Sequence, residues 1–155
     1  MIKFKVGSIL VEINDEVEQE MYKYRQVNKE MNEAGGILQG LRLKNGNLVV
    51  TNLTTPQPGD IQTRNFYKKN KEYHQQISDD IWNNTNRTTV CIGEWHTHPE
   101  KTPIVSTLDL DSWKNNVLIQ KSENIFIFVI VGITNIKVWG KTINKKIIEG
   151  ELLEK

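Results

Sequence analysis

The sequence predicts a mixed α/β (α+β) fold, in which helices flank one β-sheet that has both parallel and antiparallel strands. Strand-like and helix-like segments interleave in the order strand–helix–strand–strand–helix–strand–helix–strand–strand, and such an order places helices against a sheet. Residues 125–131 are apolar at every position, which is typical of a strand buried on both faces. Residues 37–43 and 48–53 flank Asn45-Gly46, a strong signal for a hairpin turn.

The first elements follow from the spacing of apolar residues. Near-alternate apolar positions predict one strand over residues 2–13. Apolar steps of three or four predict a helix over residues 15–32, with Asp15 capping its first turn and Gly35-Gly36 ending it. The residues expected along the apolar face of this helix are Val17, Met21, Tyr24, Val27 (or Asn28) and Met31.

The rest of the chain alternates in the same way. Residues 55–60 contain two prolines and a glycine, which predict an ordered surface loop. The further predicted elements are helix 65–83, strand 88–95, helix 106–120, strand 125–131 with its hairpin partner 136–139, and a last strand or helix from residue 141. The side chains expected on the inner side of the second helix are Phe66, Tyr73, Ile77, Ile81 and Trp82.

The composition is that of a globular protein with balanced charge. A chain of 155 residues is long enough for one domain, here residues 1–155, and too short for two ordinary ones. The net charge of +1 offers no global field to attract nucleic acid or an anionic membrane. The longest apolar run is far shorter than the roughly 20 residues of a membrane span. Because Cys91 is the sole cysteine, no internal disulfide can form, and we expect a cytoplasmic protein.

The most informative residues are a pair of histidines at the end of a predicted strand. His96 and His98 are two positions apart, so their side chains point to the same face and can converge on one point. Imidazole is a good ligand for Zn²⁺, and Pro99 turns the chain so that Asp109 can return as a third ligand. Three protein ligands and one water are typical of a catalytic zinc.

Other interpretations of these residues remain open at this point. A pair of histidines at this spacing is by itself a weak signal, because most such pairs are exposed or simply packed. Ser106 and Asp109 have the spacing of a helix capping box, in which each side chain binds the other's backbone amide. A side chain that faces a metal cannot also cap fully, so the two roles compete. Asp111 is a rival ligand, but it lies about 200° around the helix from Asp109, which fits the spacing better.

The combination of these residues resembles the JAMM (MPN+) metalloprotease family. Its signature is an upstream Glu followed by H-x-H, seven residues and S-x-x-D. Here these are Glu33, residues 96–98, residues 99–105 and residues 106–109. The segment EAGGILQG, residues 33–40, is similar to the family's first motif. The resemblance covers about residues 13–139, nearly the whole chain.

The resemblance implies a fold, a cofactor and a role for each motif residue. It implies a JAB/MPN-type, cytidine-deaminase-like mixed sheet flanked by helices, with one Zn²⁺ per chain. His96, His98 and Asp109 match the zinc ligands of the family. Glu33 matches the general acid/base that takes a proton from the zinc-bound water, and Ser106 matches the donor to the tetrahedral oxyanion.

The resemblance also implies an isopeptidase of the deubiquitinase type, acting on a protein with a flexible C-terminal tail. The residues TTPQPGD, Arg64-Asn65-Phe66 and GEWHTHPE make the chain similar to the JAB peptidases of CBASS antiphage operons, which release a nucleotidyltransferase (CD-NTase) from its targets. Ile104-Val105, where Pro is expected before the serine, departs from that pattern. A peptidase of another bacterial ubiquitin-like or sulfur-carrier system, and a non-catalytic interaction module, are the alternatives.

The remaining conspicuous residues are expected to be structural. Trp95 and Trp113 flank the motif and are expected to be core, with a role in shaping a substrate channel as the alternative. His74 is expected to be structural or exposed, and Cys91 to be a small buried apolar residue. The basic cluster Lys68, Lys69 and Lys71 is expected to be a solvated helix face, with contact to an acidic partner as the alternative.

Overall fold

The computed structural model of the chain describes residues 1–116, 118–121 and 123–155. In these residues three α-helices and one short 3-10 turn accompany the strands. In chain order the elements are β1 (Ile2–Val6), β2 (Ile9–Ile13), α1 (Asp15–Tyr22), β3 (Gly35–Arg42), β4 (Leu48–Leu53), β5 (Ile61–Thr63), β6 (Phe66–Lys68), α2 (Lys71–Asn84), β7 (Val90–Thr97), α3 (Thr107–Lys114), the 3-10 turn (Ile119–Lys121), β8 (Phe126–Val131), β9 (Ile136–Lys141), β10 (Ile148–Glu149) and β11 (Glu151–Glu154).

Nine strands form one mixed sheet in the order β10-β9-β8-β7-β3-β4-β2-β1-β11, and β5 pairs with β6 in a separate hairpin. The pairs β2–β4 and β7–β8 are parallel, and the other pairs in the sheet are antiparallel. The two end strands, β10 and β11, are separated in sequence only by Gly150, whose N–H donates to the Val138 carbonyl at 2.7 Å. The C-terminal segment therefore links the two edges of the sheet. The mixed sheet with flanking helices confirms the predicted fold class.

Strand β8 is buried on both faces, as its continuous apolar sequence predicts. Ile127, Val129 and Val131 belong to the larger core, which the neighbouring strands and α1 also line. Phe128 and Ile130 point to the other face, into a second core. The second core packs α3 and β9 against β8, and its buried members are Trp113, Ile119, Phe126, Phe128, Ile130 and Trp139. Two cores on opposite faces therefore keep β8 and its neighbour β7 in place.

Both predictions for the N-terminal segment are wrong in their bounds. The single strand over residues 2–13 is a hairpin of two strands that turns at Gly7, where φ is +62°. The helix over residues 15–32 ends at Tyr22, and its N-cap is Asn14 rather than Asp15. After Tyr22 the chain packs through individual contacts; Gln26, 1% exposed, donates to the Arg64 carbonyl at 2.8 Å. Such long-range contacts override the helical spacing of the apolar residues.

Gly35 and Gly36 do not end a helix, because both lie at the start of β3. A Cβ at Gly35 would lie 2.4 Å from the Trp95 carbonyl oxygen, and one at Gly36 would lie 2.2 Å from that of Thr54. The two glycines are therefore needed where neighbouring strands approach closely. Because Gly35 has no side chain, the start of β3 lies directly against β7.

The second helix begins six residues later than predicted, at Lys71. The residues before it form the β5–β6 hairpin, and Phe66 lies in a strand. The inner side of α2 carries His74 and Ser78, whereas Tyr73 and Trp82, expected inside, are exposed. The prediction for this inner side is therefore wrong for Tyr73 and Trp82, whereas Ile77 and Ile81 are half-buried. Polar partners, described below, bury His74. The prediction that His74 is structural is confirmed.

The later elements differ less from expectation. The predicted helix over residues 106–120 is α3 followed by the 3-10 turn, and Val117 lies outside the described residues. The chain beyond residue 141 forms β10 and β11, so the strand alternative is confirmed. Among the described residues no helix has both the length and the apolar character needed to cross a membrane.

Candidate active site

Strand β7 presents both histidines on one face of the sheet. His96 is near the end of β7, and His98 follows it after one intervening residue, whose side chain points to the other face. The Nε2 atoms of His96 and His98 lie 3.1 Å apart. The N–H of His98 donates to the Val131 carbonyl at 3.0 Å, which extends the alignment of β7 with β8 beyond the last strand residue. The convergence that the spacing predicts is present.

The first turn of α3 brings Asp109 to the two histidines. Its Oδ1 lies 3.1 Å from His96 Nε2, and its Oδ2 lies 3.2 Å from His98 Nε2. Burial alone would raise the pKa of Asp109, but hydrogen bonds from His96 and His98 hold it well below its usual range. Asp111, the rival candidate, is exposed. The structure therefore brings together His96, His98 and Asp109.

Asp109 and Ser106 also form a complete capping box at the start of α3. The Ser106 N–H donates to Asp109 Oδ2 at 2.9 Å, and the Asp109 N–H donates to Ser106 Oγ at 3.0 Å. The expectation that capping competes with facing the histidines is wrong, because a carboxylate has enough lone pairs to do both. The capping box thus orients the carboxylate that meets the imidazoles.

Glu33 lies beside this cluster on a different element. It precedes β3, is 4% exposed, and offers a carboxylate oxygen within 4.8 Å of the ligand nitrogens of His96 and His98. Burial raises the pKa of Glu33 to about 7, although the nearby His98 opposes the rise. Glu33 does not follow directly on a helix, because α1 ends eleven residues earlier.

The β5–β6 hairpin holds the backbone of Glu33. The Glu33 N–H donates to the Thr63 carbonyl at 2.7 Å, and Gln62 Nε2 donates to the Glu33 carbonyl at 3.0 Å. Both partners lie in β5, a segment for which the sequence predicts no element. These residues were missed because a three-residue strand carries too little periodicity to be recognised.

The donor set and its spacing fit a zinc ion. Two imidazoles and one carboxylate are ligands that Zn²⁺ accepts, and ligands about 2.0–2.1 Å from a tetrahedral zinc lie about 3.3 Å from one another. The two Nε2 atoms lie 3.1 Å apart, and each lies 3.1–3.2 Å from a different oxygen of Asp109: His96 from Oδ1 and His98 from Oδ2. Glu100 Oε2 lies 3.4 Å from His98 Nδ1, the ring nitrogen that does not face the cluster, and makes no hydrogen bond within the described residues.

A cleft with a volume of about 700 Å³ contains the cluster. One wall is formed by β6 and the start of α2, the floor by β7, and the other wall by α3 and the residues after it. Trp95 and Trp113 border the cleft but are only 1% and 3% exposed, so most of each ring is core, as expected. Cys91, expected to be buried, is half-buried, and burial raises the pKa of its thiol to about 12, which does not suit a reactive residue.

A buried polar network on the hairpin side of the cleft was not anticipated. The side chains of Asp60 and His74 are fully buried, and His74 Nε2 lies 2.8 Å from Asp60 Oδ2. Tyr67 donates to Asp60 Oδ2 at 2.6 Å, and His74 Nδ1 lies 2.6 Å from Thr54 Oγ1. The Asn70 N–H donates to Asp60 Oδ1 at 2.7 Å. Asp60, which directly precedes β5, thus binds residues of β6 and α2 and fixes this wall of the cleft.

This fold, with two imidazoles and a carboxylate converging beside a buried glutamate, defines a hydrolase of the metallopeptidase class. The chain belongs to the family described as prokaryotic homologues of the JAB domain, whose model matches residues 15–141. The resemblance to JAMM proteins is therefore confirmed at the level of the family.

Individual relatives support the same assignment. The chain is 34% identical, over 88% of its length and 85% of the relative's, to a protein of Escherichia coli strain TW11681 named CD-NTase/cGAS isopeptidase. A protein of the same name from Vibrio cholerae serotype O1 is 33% identical over 79% of the chain and 76% of the relative. The solution structure of a Desulfitobacterium hafniense protein is similar in fold, with a TM-score of 0.65 at 17% identity over 93% of this chain and 90% of that one.

Proposed function

We propose that this protein is a zinc-dependent isopeptidase that releases a CD-NTase from the proteins to which its C-terminus is conjugated, in CBASS antiviral defence. Two relatives that carry this activity in their names are 34% and 33% identical to the chain over most of its length. The observation that carries the proposal is the approach of Asp109 to His96 and His98, beside the buried carboxylate of Glu33.

In this proposal His96, His98 and Asp109 hold one Zn²⁺ per chain. The two imidazole nitrogens lie 3.1 Å apart, and the Asp109 carboxylate contacts both of them, which are donors that Zn²⁺ accepts. When bound, the ion supplies a Lewis acid that acidifies water and polarises a carbonyl. The cleft borders both histidines and Asp109, so a substrate in the cleft would reach an ion held by these residues.

Glu33 is the general acid/base of the proposed reaction. Its carboxylate accepts a proton from the attacking water and passes the proton to the amine that leaves. Burial raises the pKa of Glu33 to about 7 in the metal-free protein, which makes its carboxylate a stronger base than an exposed one. Two hydrogen bonds between its backbone and residues of β5 fix the position of Glu33 beside the two histidines.

Ser106 is the donor to the oxyanion in the same proposal. Its Oγ accepts a hydrogen bond from the Asp109 N–H, so its own hydroxyl proton is not used in the capping box. Ser106 also borders the cleft. A hydroxyl aimed at the developing oxyanion stabilises the transition state more than the ground state.

The substrate is a protein with a flexible C-terminal tail, and the cleft holds that tail in an extended form. Strand β6 borders the cleft, and among the described residues it pairs with β5 on one side only, so its other edge has backbone groups available for an added strand. Main-chain hydrogen bonds to this edge would bind a tail without demanding large side chains. The globular part of the substrate and its target would remain outside.

The test is hydrolysis of defined conjugates by the purified, zinc-loaded protein. The panel contains a CD-NTase linked through its C-terminus to a lysine, a ubiquitin-like conjugate and a sulfur-carrier precursor, with mass spectrometry locating the cut. We expect the CD-NTase conjugate to be cleaved after its last residue, with a chelator abolishing the cut. Preferential cleavage of another member of the panel would contradict the proposed client, and cleavage of none would favour a non-catalytic interaction module.

A further inference from the structure

A buried threonine lies behind the two histidines. Thr97 separates them along the chain, and because strand side chains alternate it points to the opposite face of the sheet, where it is fully buried. Its hydroxyl donates to Gln26 Oε1 at 3.0 Å and accepts from the Ala34 N–H at 3.0 Å. The Thr97 N–H donates to the Ala34 carbonyl at 2.9 Å. Thr97 therefore connects the strand of the histidines to the residue that follows Glu33.

Gln26 extends this network to a further segment of the chain. It lies after α1 and is 1% exposed, and its Nε2 donates to the Arg64 carbonyl at 2.8 Å and to the Met31 carbonyl at 3.3 Å. Because carbonyl oxygens only accept, the amide nitrogen has to face them, and the amide oxygen then accepts the proton of Thr97. The directions of all these hydrogen bonds are therefore consistent with one another. We call the two side chains the Gln26–Thr97 pair.

Gln26 acts on Glu33 through the β5–β6 hairpin. Arg64 directly follows Thr63, whose carbonyl accepts the Glu33 N–H at 2.7 Å. The hydrogen bond from Gln26 to the Arg64 carbonyl therefore fixes the backbone beside the residue that binds Glu33. The hairpin pairs only three residues of each strand, and so short a hairpin is marginally stable without further contacts. Its position beside Glu33 depends on such contacts.

Thr97 acts on Glu33 through Ala34. The pairing of β3 with β7 begins with Gly35 opposite His96, so Glu33 lies beyond the end of this ladder. The two hydrogen bonds between Thr97 and Ala34 extend the attachment by one residue, to the position next to Glu33. Because Glu33 and His96 are distant in sequence, contacts of this kind set the distance between the carboxylate and the histidines.

The proposed zinc ligands have other supports. The His98 N–H donates to a carbonyl of β8 at 3.0 Å, and β7 pairs with β8 along its second half. Asp109 is oriented by its capping box with Ser106. These contacts use neither side chain of the Gln26–Thr97 pair. Loss of the pair is therefore expected to displace Glu33 and to spare the metal.

We propose that Gln26 and Thr97 are positioning residues, which set the distance between the Glu33 carboxylate and the histidines and thereby determine kcat and not zinc binding. This inference rests on the proposed isopeptidase function. A carboxylate oxygen of Glu33 lies within 4.8 Å of the ligand nitrogens of both histidines, a separation that one water molecule can span. A displacement of about 1 Å in such an arrangement can cost about 10²-fold in rate.

The first test removes the hydroxyl of Thr97 with little change of shape, in Thr97→Val. The substrate is the conjugate of the panel above that the wild-type protein cleaves. We expect kcat to fall about 10–100-fold, with KM and zinc content unchanged. Thr97→Ser keeps the hydroxyl and should retain most of the wild-type kcat. Gln26→Met keeps the length of the side chain without its polar group, should also lower kcat, and keeps the inference falsifiable if Thr97→Val folds poorly.

The second test determines whether the pair acts through Glu33. In the Glu33→Gln background the carboxylate is already absent, so Thr97→Val should lower the residual kcat much less than it does in the wild type. Thr85→Val is the matched control. The Thr85 hydroxyl also donates and accepts, to the Ile81 carbonyl at 2.7 Å and from the Thr89 N–H at 3.2 Å, but it lies at the end of α2 and does not border the cleft. This control should lower the melting temperature and leave kcat unchanged.

The possible results separate the two levels of inference. An unchanged kcat in both Thr97→Val and Gln26→Met overturns the positioning role, and so does loss of zinc from Thr97→Val, which would place the effect on the ligands. An equal fall of kcat in Thr85→Val, or an undiminished effect of Thr97→Val in the Glu33→Gln background, would show a general structural effect and also overturns it. A wild-type protein that cleaves no member of the panel contradicts the proposed function, and this inference fails with it.

Discussion

Asp109 Oδ2 accepts the backbone N–H of Ser106 at 2.9 Å and lies 3.2 Å from His98 Nε2. One carboxylate therefore completes the N-terminal cap of α3 and faces the histidines of β7. The orientation of the helix and the geometry of the candidate metal site depend on the same side chain. Changes at Ser106 and Asp109 are expected to affect both, so folding, metal content and rate have to be measured separately.

Zinc binding should depend on Asp109 and His96. Asp109→Asn keeps the shape of the side chain but removes the charge that offsets Zn²⁺, and His96→Ala removes a ligand atom. We expect the purified wild-type protein to carry close to one zinc per chain and both variants to lose it, as measured by elemental analysis. Asp111→Asn, at an exposed position of the same helix, should retain the metal. Full zinc in both Asp109→Asn and His96→Ala would show that the proposed ligands are wrong.

Glu33→Gln should separate metal binding from proton transfer. The amide keeps the size of the side chain but cannot accept a proton, so we expect a loss of kcat of about 10²–10⁴-fold with unchanged zinc content. The melting temperature should not fall. Burial raises the pKa of Glu33 because it destabilises the ionised carboxylate, and the neutral amide of glutamine avoids that cost. Glu30→Gln, at an exposed position three residues earlier, is the control and should cleave at the wild-type rate. Parental activity in Glu33→Gln would exclude Glu33 as the base.

Ser106→Ala should lower both stability and rate. Loss of the cap on α3 costs about 1 kcal/mol, which calorimetry or denaturant titration can measure. Loss of the proposed oxyanion donor should reduce kcat by about 10²–10³-fold with little change in KM. A loss of stability with unchanged kcat, or a change confined to KM, would mean that Ser106 is only a cap.

Asp60→Asn should destabilise the wall of the cleft in a pH-dependent way. Burial opposes ionisation of Asp60, but hydrogen bonds from Tyr67, Asn70, Gln57 and His74 hold its pKa below the usual value. A carboxyl with a lowered folded-state pKa contributes stability above its unfolded pKa of about 3.9, and this contribution is lost as the pH falls through the folded value. At neutral pH we expect a loss of about 2–4 kcal/mol, from the removal of one member of a buried charged network.

The free energy of unfolding, measured against pH, checks this expectation. The difference between the wild type and Asp60→Asn should be largest near neutral pH. It should shrink below about pH 4, where the carboxyl of the unfolded chain is protonated, and continue to shrink until the folded carboxyl is protonated as well. Asp80→Asn, at an exposed position of α2, should show no comparable difference at any pH. A constant difference across this range would argue against an ionised Asp60 in the folded protein.

Local patterns predicted the elements whose burial is continuous or strictly alternating. The two-faced burial of β8 and the common face of His96 and His98 follow from spacing alone, because strand side chains alternate whatever the strand packs against. Spacing also named Asp109 as the partner of the histidines, although only the structure shows that capping and this contact coexist. The roles of these residues in metal binding and catalysis stay predictions.

The sequence by itself determined the fold class, the two-faced strand and the set of residues at the candidate site, because each depends on nearest-neighbour spacing or on a motif. Only the tertiary structure decided where α1 ends, that residues 61–68 form a hairpin, and that Gln26 joins Thr97 to this hairpin. These features depend on partners distant in sequence, such as Gln26 with Arg64 and Asp60 with His74. The local sequence around a polar side chain does not indicate which distant donor or acceptor will pair with it. Such contacts are therefore known only from the folded structure.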